Sequence, residues 1–355
     1  MPRINFAKLL LVIVLALSAQ LASAFTLTAV QVGHCKFRLN KIPAYNTISD
    51  ALAATPAADV VEVCPGTYYE QIEITRPVIL VGIRSGDSDQ VIIAPPAGGL
   101  VANTRNYLGI IIVAQVWVNN ATGPVTITDI TLDAANAGPN GDVTGIFYQN
   151  SSGTVNRVTI RNQARGIWLE GGEQSVTIEN SSVHDFIEQG ILVENPFYPP
   201  VFTAIIKDND VKGSQQYTIG VELFNVAAVV TNNVVTDAAS GIVPLNGTNG
   251  SSISGNTLID NQTGINVVTA DGVSVTSNKI FNSTGQAIRL SSPVGDIGGN
   301  SIINSPIGIG FNCFANGNVK GNTIIDAGTA LDMVPLATSS SNSYSNVATI
   351  RTGCP

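Results

Sequence analysis

Three glutamates, Glu170, Glu194 and Glu222, stand in near-copies of one short phrase: RGIWLEGG (165–172), GILVEN (190–195) and GVELFN (220–225). Carboxylates held side by side suit acid–base work on a glycosidic bond, one giving a proton while the other serves as nucleophile or base. If the copies are stacked strands, alternation puts Ile167 and Leu169 inside and Trp168 and Glu170 outside. Leu192 and Glu194 are outside on the next copy, and Glu222 and Phe224 on the one after. Parallel stacking then sets Glu170 about one strand spacing (~4.8 Å) from Glu194, with Glu222 diagonal to Glu194. That separation matches a retaining glycosidase pair, and repulsion between like charges raises one pKa, as a general acid requires. The same carboxylates, with backbone and water oxygens, would suit Ca²⁺ instead. An acidic protein also carries glutamate as plain outward surface, and that alternative stays open.

Aromatic faces beside carboxylates suit sugar rings. Trp168 lies within the first phrase, Tyr198 in ENPFYPPVF (194–202) and Tyr217 in KGSQQYTI (212–219). Trp168 either holds a sugar or packs under the loop that carries Phe197. Arg165 and Arg161 either neutralise Glu170 or Asp185, or, in the case of Arg165, steady a bound carboxylate. His184 reads as a turn residue or a base.

The elements that position these residues repeat. Gly-plus-apolar pairs begin at Gly145, Gly166, Gly190, Gly220, Gly241, Gly264 and Gly308, with Ala287-Ile288 and Ala330-Leu331 in the same slot. A second column of Asn156, Asn209, Asn233, Asn256, Asn278, Asn300 and Asn322, with Ser181 in step, keeps a period of about 22 residues. Each unit, such as VSVTSNKIFNSTGQAIRL (273–290), alternates three times between turns and is rich in Val, Ile and Thr, so it reads as three short strands. The fold class is therefore all-β, a right-handed parallel β-helix of about ten or eleven coils, with stacked asparagines bonding along one turn. A leucine-rich repeat would need an L-x-x-L-x-L face, and a left-handed hexapeptide helix a period near ~18. The step between Gly190 and Asn209, and that between Asn209 and Gly220, are the longest of their kinds, so both walls of a groove over coils 166–224 swell there.

The ends bound the class. MPRINFAKLLLVIVLALSAQLASAF reads as a secretory signal peptide cleaved after Ala24, leaving 25–355 as one domain: a cap over 25–60, coils over 61–335 and a polar tail over 336–355. Thr47 can N-cap a short helix with Asp50 in the capping-box position. Export implies an oxidising compartment, extracellular or periplasmic. There Cys35–Cys64 and Cys313–Cys354 are the favoured disulfides, one at each end. A net charge of −8 disfavours nucleic acid, and no later segment is apolar enough to span a bilayer. A metal site finds neither C-x-x-C spacing nor histidines beyond His34 and His184.

The segment VVEVCPGTYYEQIEITRPVILVGIRS (60–85) resembles the first coils of pectin methylesterases and of secreted NosD-like β-helix proteins, with Gly66, Tyr68 and Glu70 matching their G-x-Y-x-E signature. The later repeats resemble the wider pectin lyase-like superfamily of pectate lyases, polygalacturonases and alginate epimerases. HDFIEQG (184–190) is similar to the esterases' D-F-I-F-G, whose Asp is the nucleophile, and GQAIRL (285–290) to their Q-A-V-A-L-R, but in reversed order. The polygalacturonase set and the epimerases' D-P-H are absent. The resemblance implies contact with a glycan without assigning a reaction. Two functions are expected to compete. One is a monomeric protein that binds and cleaves a polysaccharide, as a hydrolase or lyase, through Glu170, Glu194 and Glu222. The other is a non-catalytic cell-surface, adhesin or structural repeat protein.

Overall fold

The computed structural model describes residues 27–353 apart from 36–41, 85–89, 139–141, 172–174, 197–202, 215, 248–249, 293–294, 313–314, 316 and 333–337. The expected signal peptide, the Cys313–Cys354 pair and Tyr198 lie outside the described residues. The chain winds into a parallel β-helix. One wall is a sheet of fourteen described strands, running from Ala44–Tyr45 to Thr338–Ser340. A second wall stacks short strands such as Thr159–Arg161, Ser182–His184 and Asp210–Lys212. A third stacks Val143–Gln149, Arg165–Glu170, Gln189–Glu194 and Ile219–Phe224, all in parallel. Strand alternation sends Ile167, Leu169, Ile191, Val193, Val221 and Leu223 into the lumen, where none is exposed. Burying aliphatic side chains there at about 25 cal/mol per Å² of apolar surface is the main force that closes each coil.

The Gly-Ile column is steric. A Cβ on Gly166 would lie 2.3 Å from Val183 Cγ1 and 2.5 Å from the Gly190 carbonyl oxygen, both inside van der Waals contact. Gly145, Gly190, Gly220, Gly241, Gly264 and Gly308 meet the next coil's carbonyl in the same way. Ala287 and Ala330 fill the slot fully buried, so a coil can widen to admit one methyl. Gly166→Ala is accordingly expected to cost about 2 kcal/mol, the usual range for overpacking. A denaturant midpoint indistinguishable from the parent's would contradict this.

The asparagine ladder is the second device. Asn209, Asn233, Asn256, Asn278, Asn300 and Asn322 each give the backbone N–H and the side-chain Nδ2–H to Oδ1 of the next asparagine, at 2.9–3.0 Å throughout. Ser181 stands at its head, its N–H donating to Asn209 Oδ1. Two expectations need correction. Asn156 is not a rung: it lies opposite Glu179 in the adjoining wall, and the slot in its coil belongs to Val158, whose N–H donates to Ser181 Oγ. The expected polar tail is instead a further coil, with Asn342 as a rung and the strands Thr338–Ser340 and Ser343–Thr352 pairing back onto Asn318–Lys320 and Thr323–Asp332. Polar residues suffice there because one side of this coil faces no further described strand.

At the other end, the helix Ile48–Leu52 lies against the first coils, and Thr47 Oγ1 accepts from the Asp50 N–H. Asp50 does not close the capping box. Glu70 caps the helix from a neighbouring coil instead, accepting from Ile48 N, Ser49 N and Ser49 Oγ at 2.7–2.9 Å. A carboxylate on free N–H groups at the positive end of a helix is a favourable cap. Tyr68 Oη donates to the carbonyl of Cys64, which is disulfide-bonded to Cys35. The G-x-Y-x-E signature thus builds the cap.

Candidate functional site

Register places the site's residues in two adjoining columns on the outside of the third wall. Trp117, Phe147, Trp168, Leu192 and Glu222 form one, and Asn119, Gln149, Glu170, Glu194 and Phe224 the other. Glu170 and Glu194 are lateral neighbours and Glu222 is diagonal to Glu194, as the repeat implied. Nothing in the repeat indicates what covers them. The chain after the strand Val91–Ala94 turns out of the solenoid and returns as an antiparallel ribbon, Thr104–Arg105 against the start of Ile111–Asn119. Asn106 Oδ1 accepts from Leu108 N and Ile110 N, and Arg105 donates to the Gly109 carbonyl, which rounds the tip.

This hairpin is fastened to the acid column. Tyr107 N donates to Glu170 Oε2 at 2.9 Å, and Gln149 Nε2 bridges Glu170 Oε1 and the Arg105 carbonyl at 2.8 Å each. Glu170 is left 3% exposed, so it anchors the hairpin and does not face a ligand. Trp168 also differs from expectation. Its ring is 4% exposed, packed on Phe147 with centroids 4.9 Å apart and tilted by 48°, with the Arg165 guanidinium 5.0 Å above it. It is no open platform for a sugar, because Ile112, Ala114 and Leu192 complete its packing, and the Phe197 loop lies outside the described residues. Its indole N–H donates to Glu194 Oε1 at 3.0 Å, so Trp168 is a positioning residue.

Between hairpin and wall lies a pocket of about 250 Å³. Glu194 and Glu222 line it with Gln189, Arg165 and the apolar Leu192 and Phe224, while Leu108, Ile110 and Ile112 close it from the hairpin side. Gln189 Nε2 donates to Glu222 Oε2 at 3.1 Å. Arg165 pairs with Asp142 and Glu188, and Arg161 with Asp133, so neither guanidinium is bonded to Glu170 or Asp185. Tyr217 is 90% exposed and does not line this pocket. His184 is neither a turn residue nor near the pocket: it ends the strand Ser182–His184 of the second wall and binds the adjacent Asp185 through Nδ1. Sequence reasoning missed Gln149, Gln189 and the hairpin. The N-Y-L-G run at 106–109 was a turn signal, but nothing local says where that turn lands.

Burial pushes Glu194 up to about 7, aided by the charges of Glu170 and Glu222 and opposed by the Trp168 hydrogen bond and Arg165. Burial also raises Glu170, against the bonds from Gln149 and Tyr107, and Glu222, against Gln189 and Arg165. Tyr107 is raised first by burial and then by Glu194 and Glu170. An acid whose folded pKa exceeds its unfolded one keeps its proton longer in the native state, so stability is full at low pH and is lost as pH rises. For Glu194 the window runs from 4.5 to about 7. The whole shift corresponds to roughly 3 kcal/mol, and about 2 kcal/mol allowing for partial solvent access. Asp129, lowered against burial by Arg157, Thr128 and Arg84, and Asp133, lowered against burial by the Ala135 N–H, Asn162 and Arg161, act with the opposite sign, but only below the ordinary carboxylate range. Denaturant midpoints should fall between pH 5 and pH 8, and Glu194→Gln should flatten the profile. A parent profile already flat over that range would refute the assignment.

These features define a right-handed parallel β-helix protein. Two family models match: "Periplasmic copper-binding protein (NosD)" over residues 110–263 and "Right handed beta helix region" over 189–347. The NosD match falls on the middle coils, not on the 60–85 segment that suggested it. The A-module of the mannuronan C-5 epimerase AlgE6 from Azotobacter vinelandii superimposes with a TM-score of 0.52 at 16% identity, over 84% of this chain and 96% of that one. The GH136 lacto-N-biosidase of Eubacterium ramulus gives 0.63 at 11% identity, over 91% and 68%. The catalytic unit of the GH87 α-1,3-glucanase from Streptomyces thermodiastaticus gives 0.53 at 14%, over 86% and 64%. No curated protein matches the chain. Among the described residues the donor set does not suit copper. His34 and His184 are the only histidines, Cys35 and Cys64 are joined, and among the described residues no three His, Cys, Asp or Glu are placed to hold a metal ion. Among the described residues no helix is long and apolar enough to cross a membrane.

Proposed function

We propose that this protein is exported and hydrolyses a glycosidic bond, with Glu194 as general acid and Glu222 as general base. The observation that carries this reading is that both carboxylates line one pocket beneath the hairpin. They stand two residues apart along the strand and one strand apart across it, which separates their Cα atoms by about 8 Å. Leaving the same outer face, the two carboxyl groups would keep a comparable span, which leaves room for a water as in inverting hydrolysis and replaces the retaining pair expected of Glu170 and Glu194. Glu194 would give its proton to the glycosidic oxygen as the C–O bond breaks. Glu222 would take a proton from the water whose oxygen bonds to the anomeric carbon. The raised pKa of Glu194 supports the acid role near neutral pH. At about 250 Å³ the pocket suits one sugar ring better than a polymer lying along an open groove.

The fold neighbours, an epimerase of mannuronan, a lacto-N-biosidase and an α-1,3-glucanase, support a glycan as the substrate class. The leader over 1–24, the Cys35–Cys64 disulfide and the word "periplasmic" in the matching family's description support export. The second reading, a non-catalytic rod, draws on the unbroken ladder from Asn209 to Asn342. The deciding experiment incubates the full mature chain with a panel of oligosaccharides and follows new reducing ends, with anomeric configuration read by NMR. Inverted products are expected. A panel bound but uncut would leave a binding protein, and a panel neither bound nor cut would leave the rod.

A further inference from the structure

We infer that the pocket under the hairpin takes a sugar carrying a protonated amine, and not a uronate. This inference rests on the glycan reading and names the substrate class of the same site. The charges around the pocket are one-sided. Glu222 and Asp142 line it beside Glu194, which holds its proton below about pH 7, Glu170 adjoins Glu194, and Glu188 reaches Arg165 from the next coil. Among the described lining residues Arg165 is the only cation. Its guanidinium is engaged by Asp142 on one arm and Glu188 on the other, and its face lies over Trp168. An incoming carboxylate would meet these acids with no free donor of positive charge, whereas an ammonium group meets a field already built for it.

A second observation concerns hydrogen bonding. Gln189 gives its amide N–H to Glu222, while its Oε1 is buried and has no donor. An orphaned buried acceptor costs about 1–3 kcal/mol, and a small turn of the amide toward the pocket would let an incoming N–H recover it. An ammonium group has three donors and no acceptor, so it can serve Gln189 Oε1 and still lie beside carboxylates. The remaining lining is apolar. Leu192, Phe224, Leu108 and Ile110 offer contact to the C–H face of a pyranose ring, which fixes the ring while the amine is read.

The test uses the full mature chain and four matched β-linked disaccharides, of glucosamine, N-acetylglucosamine, glucose and glucuronate, titrated calorimetrically at pH 6 in low and moderate salt. The glucosamine disaccharide is expected to bind at least tenfold more tightly than the others. Gln189→Leu and Glu222→Gln are each expected to reduce that preference severalfold while the far-UV circular dichroism spectrum at pH 6 stays that of the parent. Tightest binding of the acetylated, neutral or uronate disaccharide would overturn the amine assignment and leave the glycan reading standing. A preference for glucosamine that survives both substitutions would overturn it too, since general surface charge would then explain it. If none of the four disaccharides, nor any glycan of the wider panel, binds, the glycan reading itself fails.

Discussion

Glu194→Gln is expected to lower kcat of the proposed hydrolysis by about 10²–10⁴-fold, the usual worth of a positioned general acid. The substitution is nearly isosteric, and the new side-chain oxygen can still accept from the Trp168 indole N–H now given to Glu194. What it removes is the transferable proton. KM should change little, because the ring contacts of Leu192 and Phe224 stay in place. The loss should be smallest on substrates with an activated aryloxide leaving group, which departs with little help from an acid. A mutant that retains more than a tenth of parental kcat on unactivated glycan would remove Glu194 from the mechanism. Glu222→Gln should instead slow both substrate types alike, since the attack of water is common to both. That contrast separates the acid from the base without a structure of the complex.

Asn256→Ala is expected to cost about 3–5 kcal/mol, among the largest single-residue effects on this fold. Asn256 is fully buried and bonded on every side. Its Oδ1 accepts from Asn233 N and Nδ2, and its Nδ2 donates to the Val230 carbonyl and to Asn278 Oδ1. Removing the amide orphans the Asn233 N–H and the Val230 carbonyl side together, each worth about 1–3 kcal/mol when buried, and leaves a cavity besides. Asn256→Ser should recover part of the loss, because Ser181 fills the ladder slot with a hydroxyl that accepts from Val158 N. Urea unfolding monitored by far-UV circular dichroism measures both. An Ala variant within 1 kcal/mol of the parent would show that the ladder is decoration on a core held by aliphatic packing alone.

The parts of this molecule that were legible in its sequence are those that recur. Gly166 and its counterparts must be small because each backs onto the next coil, and the asparagines must recur because each rung completes the one before. Such local necessity leaves a period. Asn156 misled because its coil places it two residues short of the slot, and spacing alone does not show which wall a residue occupies. Asn342, twenty residues after Asn322, was a readable rung, hidden by the polar residues around it. The outward placement of Glu170, Glu194, Glu222 and Trp168 followed from alternation, but exposure does not follow from placement. The cover comes from Tyr107, which contacts Glu170 across 63 residues of sequence, and no periodic signal encodes a contact made once. Trp168 therefore read as a platform when it is part of a small outer core.

The fastening of the hairpin has a bearing on where the site keeps its proton. Neighbouring carboxylates share the burden of repulsion, and the acid best solvated by donors is the one that stays ionised. Glu170 is given two donors, Tyr107 N and Gln149 Nε2, while Glu194 has the indole N–H of Trp168. The pair therefore stores its proton on Glu194, the member open to the pocket, and its fixed negative charge on Glu170, the member sealed beneath the ribbon. A loop that touches no reacting atom thus sorts two chemically identical side chains into a reservoir of charge and a donor of protons.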